Sequence, residues 1–205
     1  TSTVTLGSQM TLSGSGTWTM NNTCTITSAG KYFPALTLAG YQKNYTFSDT
    51  LRVSGQLRII TENSSTIGGG TVAALCGSLY LGGGQTLTIT CNLISSNSTV
   101  IAGTITINGS GKSIYTSGVT VNANSTGSAS YRLTGGTWSG TNTLSNPLYF
   151  QGDCTVSGVV NYATSTIYYT SGAITTTGST LQCAAGAGFS CAGITWNDVT
   201  IGGYN

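Results

Sequence analysis

The chain has 205 residues, carries a net charge of +2, holds no histidine and is only 5% charged, against about 25% in an ordinary soluble domain. So small a charge, scattered over Lys31, Lys43, Arg52, Arg58, Lys112 and Arg132, argues against a nucleic-acid footprint of clustered cations. Nor is any apolar run long enough to span a bilayer. Thr and Ser make up about three residues in ten, yet Val, Ile and 11 Tyr accompany them, a mixture that suits pleated, half-buried strands rather than disorder.

Period-two alternation recurs in chain order at "TVTL" (3–6), "TLTIT" (86–90), "TITIN" (104–108), "VTVNAN" (119–124), "CTVSGVV" (154–160) and "STIYYT" (165–170). Each stretch is short and bounded by Gly, Ser or Asn, the pattern of strands joined by turns. The segment "TVAALCGSLYL" (71–81) has apolar residues at helical spacing, but Gly77 interrupts it and no cap precedes it. It is read as strand. Only Pro34 and Pro147 occur, so ladder hydrogen bonding is seldom interrupted.

Sandwiches and barrels also consist of short strands, but here loosely similar Gly-rich phrases recur: "TLSGSGTWTM", "TITINGSGKS", "YRLTGGTWSG" and "TVSGVVNYAT". Trp18, Trp138 and Trp196 are each preceded by Thr, and the intervals between them fall close to multiples of about twenty, a repeat-like period. The expected fold is therefore an all-β parallel β-solenoid with rungs of about 20 residues, in which equivalent positions form columns and glycines serve the corners. Thr and Trp should point to opposite sides of a strand. Each tryptophan is expected to pack in or against its own rung, the alternative being stacking on a sugar ring.

The phrases "GTWTMNNTCTITSAG" (16–30), "GTITINGSGKSIYTSG" (103–118) and "GITWNDVTIGG" (193–203) resemble the degenerate β-solenoid repeats of phage tail fibres and secreted bacterial surface proteins or adhesins. The resemblance implies a right-handed parallel β-helix working outside the cell, at the cell surface or on a virion, and carries over no catalytic residue. One solenoid segment is expected over 1–205, with an irregular rung or loop insertion around 31–58, where the pattern loosens.

Six cysteines, an even number, suit an oxidising compartment. "CAAGAGFSC", with Cys183 and Cys191 at its ends, is the best local disulfide candidate and Cys76 with Cys91 the second, the alternative being buried free thiols that behave as small hydrophobes. No Cys-x-x-Cys pair and no histidine occur, so neither a zinc site nor a histidine-activated nucleophile is expected. Glycoside cleavage needs two carboxylates at one bond. The four acids, Asp49, Glu62, Asp153 and Asp198, are read as exposed or turn residues, with Asp49 and Glu62 the pair that neighbouring rungs would bring closest. "NGSGKS" (108–113) lacks the spacing and the βαβ context of a phosphate loop. Asn21, Asn44, Asn63, Asn97, Asn108 and Asn124 sit in Asn-x-Ser/Thr sequences, at a frequency that a Thr/Ser-rich chain produces by chance.

The expected function is a structural or adhesive fibre subunit that self-associates through its solenoid ends or continues into a longer chain, with weak contact to a cell-surface glycan. "TSTVTLG" opens and "DVTIGGYN" closes in mid-pattern, and residue 1 is Thr, as in a processed or excerpted chain. Two alternatives stand beside it. Pairs such as Thr3/Thr5, Thr17/Thr19, Thr23/Thr25, Thr25/Thr27, Thr86/Thr88 and Thr104/Thr106, stacked at strand spacing, would make an ice-binding array. The other is a polysaccharide-active enzyme. No enzyme activity, cofactor, metal, nucleic-acid partner or membrane span is expected.

Overall fold

A computed structural model describes residues 2–70, 73–82, 85–121, 125–140, 143–144, 146–157, 159–162, 166–176, 178–183, 188–190, 194–196 and 198–201. Every strand in it pairs in parallel with strands roughly one coil away in sequence, and together they form a β-solenoid. Ser2 faces Cys24 and Thr143 faces Asn161. The coil is not of fixed length: Ser113 and Ser130 are among the partners closest in sequence, Leu51 and Ala74 among the most distant.

Each coil contributes to three ladders, named faces 1, 2 and 3 in the order the chain visits them. Face 1 begins with Ser2–Thr5, Cys24–Thr27 and Asn44–Phe47 and continues through Gln85–Ile89 and Ile105–Asn108 to Thr180–Cys183 and Asp198–Ile201. Face 2 runs through Asn92–Ser95, Ser113–Thr116, Ser130–Leu133, Leu148–Gln151 and Thr166–Ser171. Face 3 starts at Thr17–Met20 and Ala35–Tyr41 and includes Ser98–Ala102, Gly118–Val121, Gly136–Gly140 and Cys154–Ser157. The strand Leu51–Ile67 turns through all three faces, and Ala73–Gly82 spans faces 2 and 3. Within 31–58, Ala35–Tyr41, Asn44–Phe47 and the start of Leu51–Ile67 continue these ladders.

Alternation sends every second side chain inward, where like stacks on like. On face 3 the inner column reads Trp18, Leu36, Leu57, Leu79, Thr99, Val119, Trp138, Val156. Trp18 and Trp138 therefore occupy the same recurring position. Each has a solvent-exposed Thr before it, Thr17 and Thr137, as strand alternation requires. From Leu36 to Val156 the column is buried. Burying each such aliphatic side chain stabilises by about 1.5–3 kcal/mol, and that repeated gain fixes the register, since a one-residue slip would turn the whole column outward.

Polar groups in the interior find partners. Ser125 Oγ donates to Asn146 Oδ1 at 2.8 Å, and Asn146 Nδ2 donates to the Ala129 carbonyl at 3.0 Å. Among the described residues Thr99 Oγ1 is the exception, a buried hydroxyl without a hydrogen-bond partner. The corners between faces 2 and 3 bring backbones close together. A Cβ at Gly136, where φ is +76°, would overlap the Ser117 carbonyl oxygen, and one at Gly77 would overlap that of Ser54. Only glycine fits such an approach.

A basic, aromatic face and an open first coil

The same alternation that builds the core lays a continuous outward column along face 2. It runs Arg52, Leu75, Ile94, Tyr115, Arg132, Tyr149, Tyr168, each residue directly opposite the next. All are half-buried, flanked by their neighbours but not covered. The Arg132 guanidinium lies 4.1 Å from the Tyr149 ring centroid and 5.9 Å from that of Tyr115, and its Nε donates to Ser113 Oγ at 2.9 Å. Tyr149 and Tyr168 stack with centroids 4.4 Å apart and planes 11° from parallel. At the other end of the column Arg52 lies 5.6 Å from the centroid of Tyr32, which is half exposed. A hollow of about 370 Å³ beside them is lined by Tyr32, Val53, Ser54, Leu75, Cys76, Gly77 and Ser96.

Two lysines stand on the edge where face 1 turns into face 2. Lys31 N–H donates to the Ser28 carbonyl at 2.9 Å and Lys112 N–H to the Gly109 carbonyl at 2.8 Å, so both occupy the same position of equivalent turns. Lys112 Nζ also reaches the Gly70 carbonyl at 3.1 Å. Four of the six cations, Lys31, Arg52, Lys112 and Arg132, thus lie on or beside face 2, whose described strand segments contain no acidic residue. In the sequence alone these cations look scattered. The signal that joins them is a shared interval: Lys31 precedes Lys112, and Arg52 precedes Arg132, by four coils in each case.

Two of the four acids, Asp49 and Asp153, hold turns of neighbouring coils. Asp49 accepts from Ser28 N at 2.7 Å, Ala29 N at 2.6 Å and Ser28 Oγ at 3.1 Å, pinning the turn of the preceding coil. Asp153 accepts from Ala173 N at 2.8 Å on the following one. Asp49 stands at the edge between faces 1 and 2, whereas Glu62 stands at the end of face 3, opposite Tyr41, so successive coils do not bring the two carboxylates together. The Asp198 side chain lies outside the described residues. Among the described residues no cluster of three His, Cys, Asp or Glu could hold a metal, and no helix is long and apolar enough to cross a membrane.

Cys76 and Cys91, expected as a second disulfide candidate, are free and buried, as are Cys24 and Cys154. Cys76 lies on a face 2 strand and Cys91 at the corner that follows a face 1 strand, and each packs as a small hydrophobe in the core. Burial pushes the Cys76 thiol up to about 12 and those of Cys91 and Cys154 up to about 11. Cys191 and the Cys183 side chain lie outside the described residues.

Of the tryptophans offered as sugar platforms, Trp138 is fully buried and has no face to offer. That correction follows from its place in the middle of the inner column. Trp196 is half-buried against the core, 6.5 Å from Phe150. Trp18 is 37% exposed and meets Phe33 edge-on at 5.5 Å. Its exposure comes from position. Among the described residues, Ser2–Thr5 pairs only with Cys24–Thr27, and Thr17–Met20 only with Ala35–Tyr41. The inner column of face 3 therefore runs out to an open end among the described residues, where Met10 is also exposed and Leu12 and Met20 are half-buried.

Asn21, Asn44, Asn63 and Asn97 are exposed and Asn108 is half-buried; Asn124 lies outside the described residues. Asn44 is engaged in the ladder, its Oδ1 accepting from Thr66 N at 3.1 Å, and Asn63 Nδ2 donates to the Tyr41 hydroxyl at 2.9 Å. Register gathers the Thr pairs onto face 1, with the exception of Thr17/Thr19 on face 3. Thr3 faces Thr25, which faces Thr46; Ser64 faces Thr86, which faces Thr106, which faces Thr126. No protein-family model matches the chain, and no curated protein or solved structure is detectably similar to it.

Proposed function

We propose that this chain is a structural rod segment of an extracellular, cell-surface or virion-borne appendage, of the kind found in phage tail fibres and bacterial adhesins, and that its coils stack on another subunit or on further coils. The observation that carries this reading is the parallel, in-register stacking of the coils, an arrangement that further coils of the same kind can extend. Among the described residues, Ser2–Thr5 and Thr17–Met20 each pair with one strand, and Trp18 is partly exposed in the inner column of face 3. Unpaired strand edges template the addition of another strand, and repeat arrays need a polar terminal repeat to remain separate. A chain with 5% charged residues also has little electrostatic repulsion to keep copies apart. Negative-stain electron microscopy of the chain should show elongated particles or end-to-end filaments, shortened by Trp18→Lys. A compact, monodisperse monomer whose sedimentation is unchanged by Trp18→Lys would overturn the proposal.

A second reading is favoured by one observation, the threonine columns of face 1. Neighbours along a strand on one side are about 6.5–7 Å apart and neighbouring coils about 4.8 Å apart, a regular hydroxyl lattice of the kind an ice plane can match. Its test is the shape of ice crystals grown in the presence of the chain. Unaltered crystals would end this reading, and faceting lost in Thr86→Lys and Thr106→Lys variants would support it.

A further inference from the structure

We propose that face 2 is a binding surface for an acidic polysaccharide, a carboxylated polymer lying along the rod axis. The proposal goes beyond the rod reading by assigning a binding face and the chemistry of its ligand, and binding itself requires only a single folded chain.

Three observations carry it. The first is the repeated cation pair. Lys31 with Arg52, and Lys112 with Arg132, each combine an edge lysine with a mid-face arginine of the next coil, and the second pair lies four coils beyond the first. At about 4.8 Å per coil the two pairs are about 19 Å apart. The second is the state of the arginines. Arg52 lies against Tyr32, its Nη1 donating to the Tyr32 hydroxyl at 3.3 Å, and Arg132 lies over Tyr149 and near Tyr115. These contacts hold each guanidinium in place while leaving other N–H groups on its rim to receive a carboxylate. The third is what the tyrosines offer. Tyr149 is stacked against Tyr168 on one side and Arg132 on the other, so its ring faces are already occupied.

Together these choose between polyanions. Single-stranded nucleic acid carries a charge on every nucleotide and binds by stacking its bases on open aromatic faces. Face 2 presents sparse cation pairs with aliphatic Leu75 and Ile94 between them, and its best-packed rings are covered. A carboxylated glycan matches better, since its charges are separated by neutral sugar units. Its hydroxyls can meet Ser54 and Ser96 in the hollow beside Tyr32.

The test is affinity electrophoresis of the full chain through gels containing hyaluronate, with neutral dextran and oligothymidylate as comparisons. Retardation by hyaluronate should weaken as salt is raised. It should fall at least tenfold in an Arg52→Gln/Arg132→Gln double variant and about threefold to tenfold in each single one. Arg58→Gln removes a guanidinium stacked in the same way, 4.8 Å from the Tyr80 centroid but on face 3, and should leave binding unchanged. Hyaluronate fragments too short to reach both cation pairs should bind at least tenfold more weakly. If the double arginine variant fails to fold, Lys31→Gln/Lys112→Gln carries the same expectation. Equal retardation by dextran, tighter binding of oligothymidylate, or an Arg58→Gln loss as large as that of Arg132→Gln would each overturn the proposal. Filament formation is scored separately by microscopy, so loss of polymer binding leaves the rod reading standing, and a failure to assemble leaves the face 2 result intact.

Discussion

Faces 1 and 2 are built on the same parallel backbone and bury equivalent inner columns, yet their outer surfaces have little in common. Face 1 turns threonines to the solvent, Thr86 beside Thr106 beside Thr126; face 2 turns arginine, tyrosine and aliphatic side chains outward. The contrast separates two roles. Inward positions determine the register and tolerate little change, whereas outward positions leave the coil intact and are free to carry recognition.

That division is tested first at a corner. Gly136→Val forces a β-branched side chain into a left-handed backbone and against the Ser117 carbonyl, and should cost more than about 4 kcal/mol, read as a collapse of the denaturant midpoint. Next comes the inner column itself. Trp138→Ala should cost about 3–5 kcal/mol, while Trp18→Ala, in the same column but at its open end, should cost only about 1 kcal/mol. Equal losses at the two sites would mean that the first coil is covered in solution.

Alkaline titration probes the interior as a whole. The thiols of Cys76, Cys91 and Cys154 are held by burial at about 12, 11 and 11, and the Tyr45 hydroxyl at about 12, all above the ordinary values of about 8.5 and 10. Above the ordinary value the unfolded chain loses these protons while the folded chain keeps them. Stability is therefore fully present below about pH 8.5 and falls as pH rises toward 11–12. Urea midpoints measured from pH 8 to pH 12 should decline across that window, and a flat profile would contradict the burial of these groups.

Smaller effects sharpen the contrast. Thr99→Val replaces the unpartnered hydroxyl of the inner column with a methyl group and should raise stability by about 1 kcal/mol. Arg132→Gln on face 2 should lose about 0.5–1 kcal/mol of cation–π stabilisation. Thr88→Ser on face 1 should change stability by less than about 0.5 kcal/mol.

The alternation of "TLTIT" and "TITIN" and the spacing of Trp18 and Trp138 made the coil legible from sequence, because burial imposes a strict period on inward residues. Outward partners were harder to read. The interval between partners drifts as corners lengthen and shorten, wide from Leu51 to Ala74 and narrow from Ser113 to Ser130, so a fixed period does not bring Arg52 and Arg132 into one column. Only the accumulated register does. The disulfide expectation for Cys76 and Cys91 failed for a related reason. An even cysteine count says nothing about which face or corner each thiol occupies, and these two are separately packed into the core.

Core, corners and binding face all depend on the parallel, in-register stacking of successive coils. Nuclear Overhauser contacts between backbone protons on face 3 test it most directly. Thr37 should contact Arg58, Leu38 should contact Ile59 and Ala39 should contact Ile60, with the sequence interval unchanged from each contact to the next. An interval that shrinks steadily along the strand would mean antiparallel hairpins and would contradict the solenoid.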